Sequence, residues 1–313
     1  MSDSQRILES LLKNDTKLWQ AMPMSEWFAH FKQATGSFSN SIDRAILAGR
    51  MSASVGFAFA GAYQSAIEAL FGLEEALLAS VCVTEAGGNH PRAINARLYT
   101  EKAQLYLSGE KSFVSGAEDA GMIYVACRDE RRGDGLDLSG RPLIKVIALN
   151  TQLEGIAIQE MPSLGFVPEI SHGKVILDRV AIKESYILQG DGYLQYVKAF
   201  RTYEDLHVCA AIAANRMAEA IASDWGQGAI EKHIALILSL REVNAMQLDS
   251  SAAHIALSAC RSQLNELIAA TNTLFEQSNP QKYQNWQRDS RLLKVAGKAL
   301  ETRTRKAWED ILS

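Results

Sequence analysis

Candidate chemistry in this 313-residue chain begins at a glycine turn, Thr84-Glu85-Ala86-Gly87-Gly88-Asn89-His90, which leaves an apolar run at Cys82. Adjacent glycines let backbone N–H groups approach a ligand closely, as in a phosphate cradle, but they also make an ordinary β corner. Neither G-x-G-x-x-G nor G-x-x-x-x-G-K-[ST] occurs, which excludes those two nucleotide-binding motifs. His90, His172, His207, His233 and His254 sit in separate segments without H-E-x-x-H or Cys/His spacing, so no zinc site is expected. No G-x-S-x-G elbow offers a serine nucleophile. The segment "KAFRTYEDLHVCAAIAAN" has helical spacing and contains a carboxylate pair, Glu204-Asp205. On a helix Phe200, Tyr203, His207 and Ala210 share one face, with Glu204 at its margin. Its carboxylate either enters a pocket or is solvated beside Asp205.

These residues must be positioned by elements of three textures. Residues 1–76 read as a helical domain: Ile7, Leu8, Leu11 and Leu12 show helical spacing, and Gly72 punctuates the end. Within it "SASVGFAFAGAYQSAIEALFG" reads as a tightly packed buried helix, because Gly56, Gly61 and Gln64 interrupt any membrane span. Residues 77–189 read as a β domain of hairpins, with Val/Ile-rich runs ("MIYVACRD", "PLIKVIAL", "GKVILDRVAI") between turn signals such as "RRGDGLDLSGRP". Residues 190–313 return to long Ala/Leu-rich helices, broken at Ser278-Asn279-Pro280.

Composition narrows the partners. The net charge of −4 implies no basic face, so nucleic acid is not expected. The four cysteines are widely spaced, which suits reduced thiols in a cytoplasmic protein rather than a disulfide frame. "MSDSQRILESLLKNDTKLW" has no basic segment followed by an apolar core, so neither a signal peptide nor a membrane partner is expected.

The order of segments resembles the acyl-CoA dehydrogenase family. The family's Thr-Glu-Pro-Gly-Ala-Gly-Ser-Asp is similar to Thr84 through Pro91, and its Gly-x-Lys-x-(aromatic)-Ile-(Ser/Thr)-Asn-Gly to Gly109 through Ala117. The family's later F-x-x-V-x-V-P is similar to Leu177 through Lys183, and "RDSRLL" gives a weaker likeness near the end. The resemblance implies an α+β fold with an N-terminal helical domain, a central β domain and a C-terminal helical bundle. It implies FAD, with Val83 and Thr84 at the pyrimidine end of the isoalloxazine, Phe113 packed on the ring and Ser115 hydrogen-bonding near N5 or O4. It also implies α,β-dehydrogenation of an acyl thioester, linked to CoA or an acyl carrier protein, as in fatty acid metabolism. An electron-transfer partner and a homo- or hetero-oligomer formed through the C-terminal helices would accompany it.

The family's usual catalytic Glu follows an Arg-Asp pair. Here that pair is Arg288-Asp289, and the position falls on Gly297. A subset of the family, resembling isovaleryl- and long-chain-type dehydrogenases, places its Glu on the first helix after the β domain, which implies Glu204 as base. Asp205 stands where the family usually has Arg beside the thioester. The arginine that grips the flavin pyrophosphate, three residues before a Phe-Gly, is replaced by Ala222 before Trp225-Gly226. The family's Gln-x-x-Gly-Gly-x-Gly is replaced by "LFEQSNPQKYQNWQRDS". These losses imply weakened FAD affinity. They leave a second expectation standing, a flavin-free subunit that kept the scaffold for binding or assembly.

Overall fold

The structure is a computed structural model that describes residues 3–13, 18–72, 77–295 and 297–313. The expected boundary after residue 76 therefore falls at the edge of a stretch outside the described residues, and Ala296 is likewise outside them. Four helices come first: α1 (Asp3–Leu12), α2 (Met24–Thr35), α3 (Ser41–Met51) and α4 (Val55–Phe71). Seven strands follow: β1 (Ala79–Cys82), β2 (Arg97–Glu101), β3 (Gln104–Ser115), β4 (Met122–Asp129), β5 (Ile144–Asn150), β6 (Ile156–Glu160) and β7 (His172–Ile182). A π-helical stretch, Gly192–Lys198, leads into α5 (Ala199–Ala222). The chain ends in α6 (Gln227–Asn244), α7 (Ser251–Ser278), α8 (Pro280–Asp289) and α9 (Gly297–Leu312). It thus has the α+β organisation of N-terminal helices, central sheet and C-terminal helices.

By contacts the chain divides into two units, and the helices of its two ends belong to the same one. That unit contains the described residues up to Gly72, the short stretch Gly165–Glu169 and those from Thr202 onward. Sequence order hides this merger, because the contacts that make it are far apart in the chain. Asp43 of α3 takes a two-pronged ion pair from Arg241 of α6 (2.6 and 3.0 Å). Gly49 of α3 lies against the Ala211 carbonyl of α5, where any side chain would collide, and Gly61 of α4 packs on Ala48 of α3 in the same way. Small residues let these helix axes approach closely, which explains why α4 is so rich in Gly and Ala. Trp27 fills the remaining space, stacked on Phe31 and Phe57 at 5.3 and 5.9 Å.

The second unit is a mixed sheet in the order β1-β4-β2-β3-β7-β6, with β5 on β4. The expected hairpins β2–β3, β4–β5 and β6–β7 are present. The sheet also contains parallel pairings that hairpins alone do not give: β1 runs beside the first half of β4, and β2 beside its last residues. Long connections permit this, since parallel neighbours need a crossover rather than a tight turn. Val, Leu and Ile from both ends of the sheet close its core, including Leu98, Leu107, Val125, Ile147, Val175 and Val180. No helix among the described residues is long and apolar enough to cross a membrane.

Candidate functional site

The glycine turn is held by a buried ion pair. Glu85 and Gly88 exchange backbone hydrogen bonds (3.0 and 2.8 Å), closing the turn on itself. The Glu85 side chain points back into the sheet unit and is only 7% exposed. It accepts from the Lys111 ammonium at 2.6 Å, and from the backbone N–H groups of Asn95 and Ala96 at 2.7 and 3.0 Å. Lys111 is fully buried and also donates to the Val83 carbonyl at 3.3 Å. Burial pulls the Lys111 pKa down and the Glu85 carboxylate opposes that pull. Next along β3, the Ser112 N–H donates to the Thr84 carbonyl at 2.8 Å. Val83 and Thr84 are therefore fixed through their carbonyls by successive residues of β3.

A bulge follows. The β3–β7 register shifts between Lys111 and Val114, and within it Phe113 has φ 56°, a left-handed backbone that an aromatic residue rarely adopts. Phe113 is 53% exposed and its N–H donates to the Met161 sulfur at 3.2 Å. Residues held in sparsely populated backbone conformations recur at ligand-binding positions. Two residues on, the Ser115 carbonyl accepts from the Ser80 hydroxyl at 2.7 Å, and its own hydroxyl lies 3.4 Å from His172 Nε2. Burial lowers the His172 pKa, which favours a neutral ring there. The sheet unit thus brings Val83, Thr84, Phe113 and Ser115 together on one corner.

Glu204 belongs to the helical unit. On α5 it is half-buried, while Phe200, His207 and Ala210 on the expected face are buried. His207 is oriented on both sides. Its Nδ1–H donates to the Tyr203 carbonyl (2.7 Å), so Nε2 is left to accept from the Ser41 hydroxyl (2.9 Å). Burial pushes its pKa down to about 4. Asp205 is 9% exposed and paired with Arg303 of α9 (2.5 Å) and Arg261 of α7 (3.8 Å), while Arg303 also donates to Thr202. It therefore ties three helices together. Nothing in local sequence announced this network, because its three members are separated by dozens of residues.

The remaining positions are equally specific. Gly297 opens α9 with nothing near the place a Cβ would occupy, so a side chain there would meet open space. Asp289 is paired with its neighbour Arg288 at 2.7 Å and also accepts the Val167 N–H at 2.7 Å, which gives that Arg-Asp pair a structural role. Ala222 is exposed at the end of α5, and Trp225 turns inward to cover Arg216 at 4.8 Å. The residues at the sheet corner fit the ring end of a flavin: an exposed aromatic ring, a hydroxyl and carbonyl-pinned strands. Ala222 does not fit the pyrophosphate end, since it offers no cation. All four cysteines are buried, and burial pushes the Cys82, Cys127 and Cys209 thiols up to about 12, which excludes them as nucleophiles. No metal-binding cluster occurs among the described residues.

No protein-family model matches the sequence, and no curated protein matches it. Solved structures do resemble it in fold. A butyryl-CoA dehydrogenase from Megasphaera elsdenii aligns at TM-score 0.72 and 12% identity, over 98% of each chain. A glutaryl-CoA dehydrogenase from Mycobacterium smegmatis aligns at 0.67 and 10% identity, over 98% of this chain and 95% of that one. A chain from a structure described as the electron transferring flavoprotein of Acidaminococcus fermentans aligns at 0.65 and 13% identity, over 98% of each. The fold is acyl-CoA dehydrogenase-like from end to end.

Proposed function

From an acyl-CoA dehydrogenase-like fold, we propose that this chain is a flavin-dependent oxidoreductase that dehydrogenates the Cα–Cβ bond of an acyl thioester, carried on CoA or on an acyl carrier protein. The observation that carries this reading is the sheet corner, where an exposed Phe113 is held on a strained bulge between Thr84 and Ser115. A purely structural corner has no need to hold an aromatic side chain in solvent at positive φ. Val83 and Thr84 would hold the pyrimidine edge of FAD, Phe113 would pack on its ring, and Ser115 would donate to it. FAD, when bound, supplies the acceptor for the β-hydride.

Glu204 is the base in this reading. Its carboxylate takes the α-proton of the thioester, a step that needs hydrogen bonds to the thioester carbonyl so that charge can develop on oxygen. Asp205 contributes no binding charge to substrate, because Arg303 and Arg261 already engage it. The electrons leave through an electron-transfer partner, and the C-terminal helices form a homo- or hetero-oligomer. Four buried thiols suit a reducing cytoplasm.

A second reading is favoured by one residue. With Ala222 where a phosphate-binding arginine is expected, the chain could serve as a flavin-free binding or assembly subunit. A lost charge-assisted phosphate contact costs about 1.5–3 kcal/mol, roughly ten- to a hundredfold in affinity. Visible absorption of protein purified without added flavin, and again after FAD reconstitution, separates the two. A flavin band near one equivalent per chain supports the oxidoreductase; no band in either sample, with no co-purified partner restoring it, supports the subunit. In the flavin-loaded protein Glu204→Gln should cut acyl-thioester turnover by about 10²–10⁴-fold with flavin content unchanged. Full turnover in that variant would remove Glu204 as the base.

A further inference from the structure

The connection between β4 and β5 ends in a hairpin whose tip is tightly tied and yet apolar. Leu136 and Pro142 pair across its two arms, and the Asp137 N–H donates to the Arg141 carbonyl at 2.8 Å. Asp137 Oδ1 accepts from the Ser139 N–H, the Ser139 hydroxyl and the Arg141 N–H, at 2.8, 2.7 and 2.9 Å. This tip holds leucines in water: Leu138 is fully exposed, and Leu136 and Leu143 are 39% and 46% exposed. A single exposed leucine is ordinary on a protein surface. Several on one hairpin with an internally fixed backbone form a pre-organised apolar knob, which loses little freedom on entering a contact. The carbonyls of Leu138 and Ser139 accept no hydrogen bond among the described residues.

The helical unit has the converse feature, an open groove of 1180 Å³ between α7 on one side and α8, the turn after it and α9 on the other. From Ser258 to Asn272 the groove follows α7 for about 21 Å, at about 1.5 Å of rise per residue. Ile268, Leu293 and Leu300 give it apolar surface, while Ser258, Ser262, Asn265, Gln287 and Ser290 give it hydrogen-bonding groups. Among the described residues none of those five polar side chains has a hydrogen-bond partner. Arg261 in the same lining is already engaged, by Asp205 and by the Leu293 carbonyl. Lys294 and Glu301 make no ion pair among the described residues, so the groove offers one cation and one carboxylate rather than a net charge. A strongly acidic or basic ligand gains nothing from such a lining.

We propose that this groove receives the Leu136–Leu143 hairpin of a second copy of the chain. Leu138 lies on the apolar surface of Ile268, Leu293 and Leu300, and the tip carbonyls accept from the Asn265 and Gln287 amides. The charges match in kind. Arg132 and Asp134 flank the hairpin without an ion pair among the described residues, and they meet Glu301 and Lys294 of the groove. Knob and groove are both supplied by this chain, which is why the occupant is a second copy. In a two-fold pair the contact occurs twice, each copy giving its hairpin and receiving the other's. The proposal narrows only the oligomer of the proposed function. It uses neither the flavin corner nor Glu204, so its failure leaves that chemistry standing.

The test co-expresses two differently tagged versions of the full chain. One carries Ser139→Cys at the hairpin tip. The other carries Ser258→Cys, Ser262→Cys or Asn265→Cys along the groove, so that no register is assumed. The native cysteines are buried, which leaves the introduced thiols as the accessible ones. After mild oxidation, non-reducing electrophoresis and mass spectrometry identify the linked peptides, since a disulfide forms only where two Cα atoms come within about 7 Å. At least one groove position should give tip-to-groove links in about tenfold excess over tip-to-tip and groove-to-groove links. Adding Leu138→Glu to the tip version should cut that yield by about tenfold, as loss of an anchor does. Leu138 is fully exposed, so this substitution leaves the fold intact. No excess at any of the groove positions, or a yield unmoved by Leu138→Glu, would overturn the proposal. So would light scattering that finds the unsubstituted chain monomeric, an outcome that assigns the groove to a different protein. Bound flavin is read by absorbance in the same samples, which tells a failed contact from a failed flavin reading.

Discussion

Lys111 of the sheet unit and Arg216 of the helical unit are both buried cations, yet they are treated in opposite ways. Lys111 meets a carboxylate at 2.6 Å and a carbonyl at 3.3 Å, and that carboxylate is saturated by two further backbone N–H groups. Arg216 is wrapped in aromatic faces and keeps unpartnered donors. The first arrangement fixes a turn so that Val83 and Thr84 cannot drift from β3. The second leaves the charge to ring faces, which offset part of it. A buried charge whose partners are complete is thus evidence of a structural pin.

The largest expected effect breaks the pin. Lys111→Met leaves Glu85 buried without its counter-charge and should cost about 3–5 kcal/mol in urea unfolding followed by circular dichroism. Adding Glu85→Gln should recover part of that loss, and no recovery would mean that Lys111 acts mainly through packing.

A smaller effect separates the units by pH. Burial holds His207 and His233 of the helical unit neutral, with pKa values near 4, against an ordinary value of 6.5. Because the unfolded chain binds those protons first, their contribution is complete above about pH 6.5 and is lost as pH falls toward 4. Urea midpoints should fall across that window, and His207→Gln or His233→Gln should flatten the decline. An equally steep decline in both variants would assign acid sensitivity to other groups.

The smallest effect concerns the bulge. Phe113→Gly relieves the positive φ and should raise stability by about 1 kcal/mol, because glycine adopts that conformation freely. Flavin retention should fall in the same variant, measured by absorbance after gel filtration. A loss of stability would show that the ring packs for the fold and not for a ligand.

Much of the architecture was legible in the chain. Alternating Val/Ile runs and turn residues marked the strands, and Gly/Ala-rich periodicity marked α4, because those patterns follow from local backbone geometry. Glu204 at the margin of its helix face was legible for the same reason: helical spacing fixes which side chains neighbour one another. Phe113 and Ser115 were named only through the resemblance of Gly109 through Ala117 to a family segment, and the bulge that exposes Phe113 was not legible, since it arises from a register shift against β7.

What the sequence determined by itself was therefore local: element type and the small residues that permit close packing. Only the tertiary structure decided that both chain ends form one helical unit, that Asp205 is tied to Arg303 and Arg261, and that Trp225, Phe275 and Trp286 enclose Arg216. Each of these joins residues on different elements. The physical reason is that burial and partnering are properties of the packed chain: an arginine carries the same charge in any sequence, and its surroundings alone determine whether its donors are satisfied.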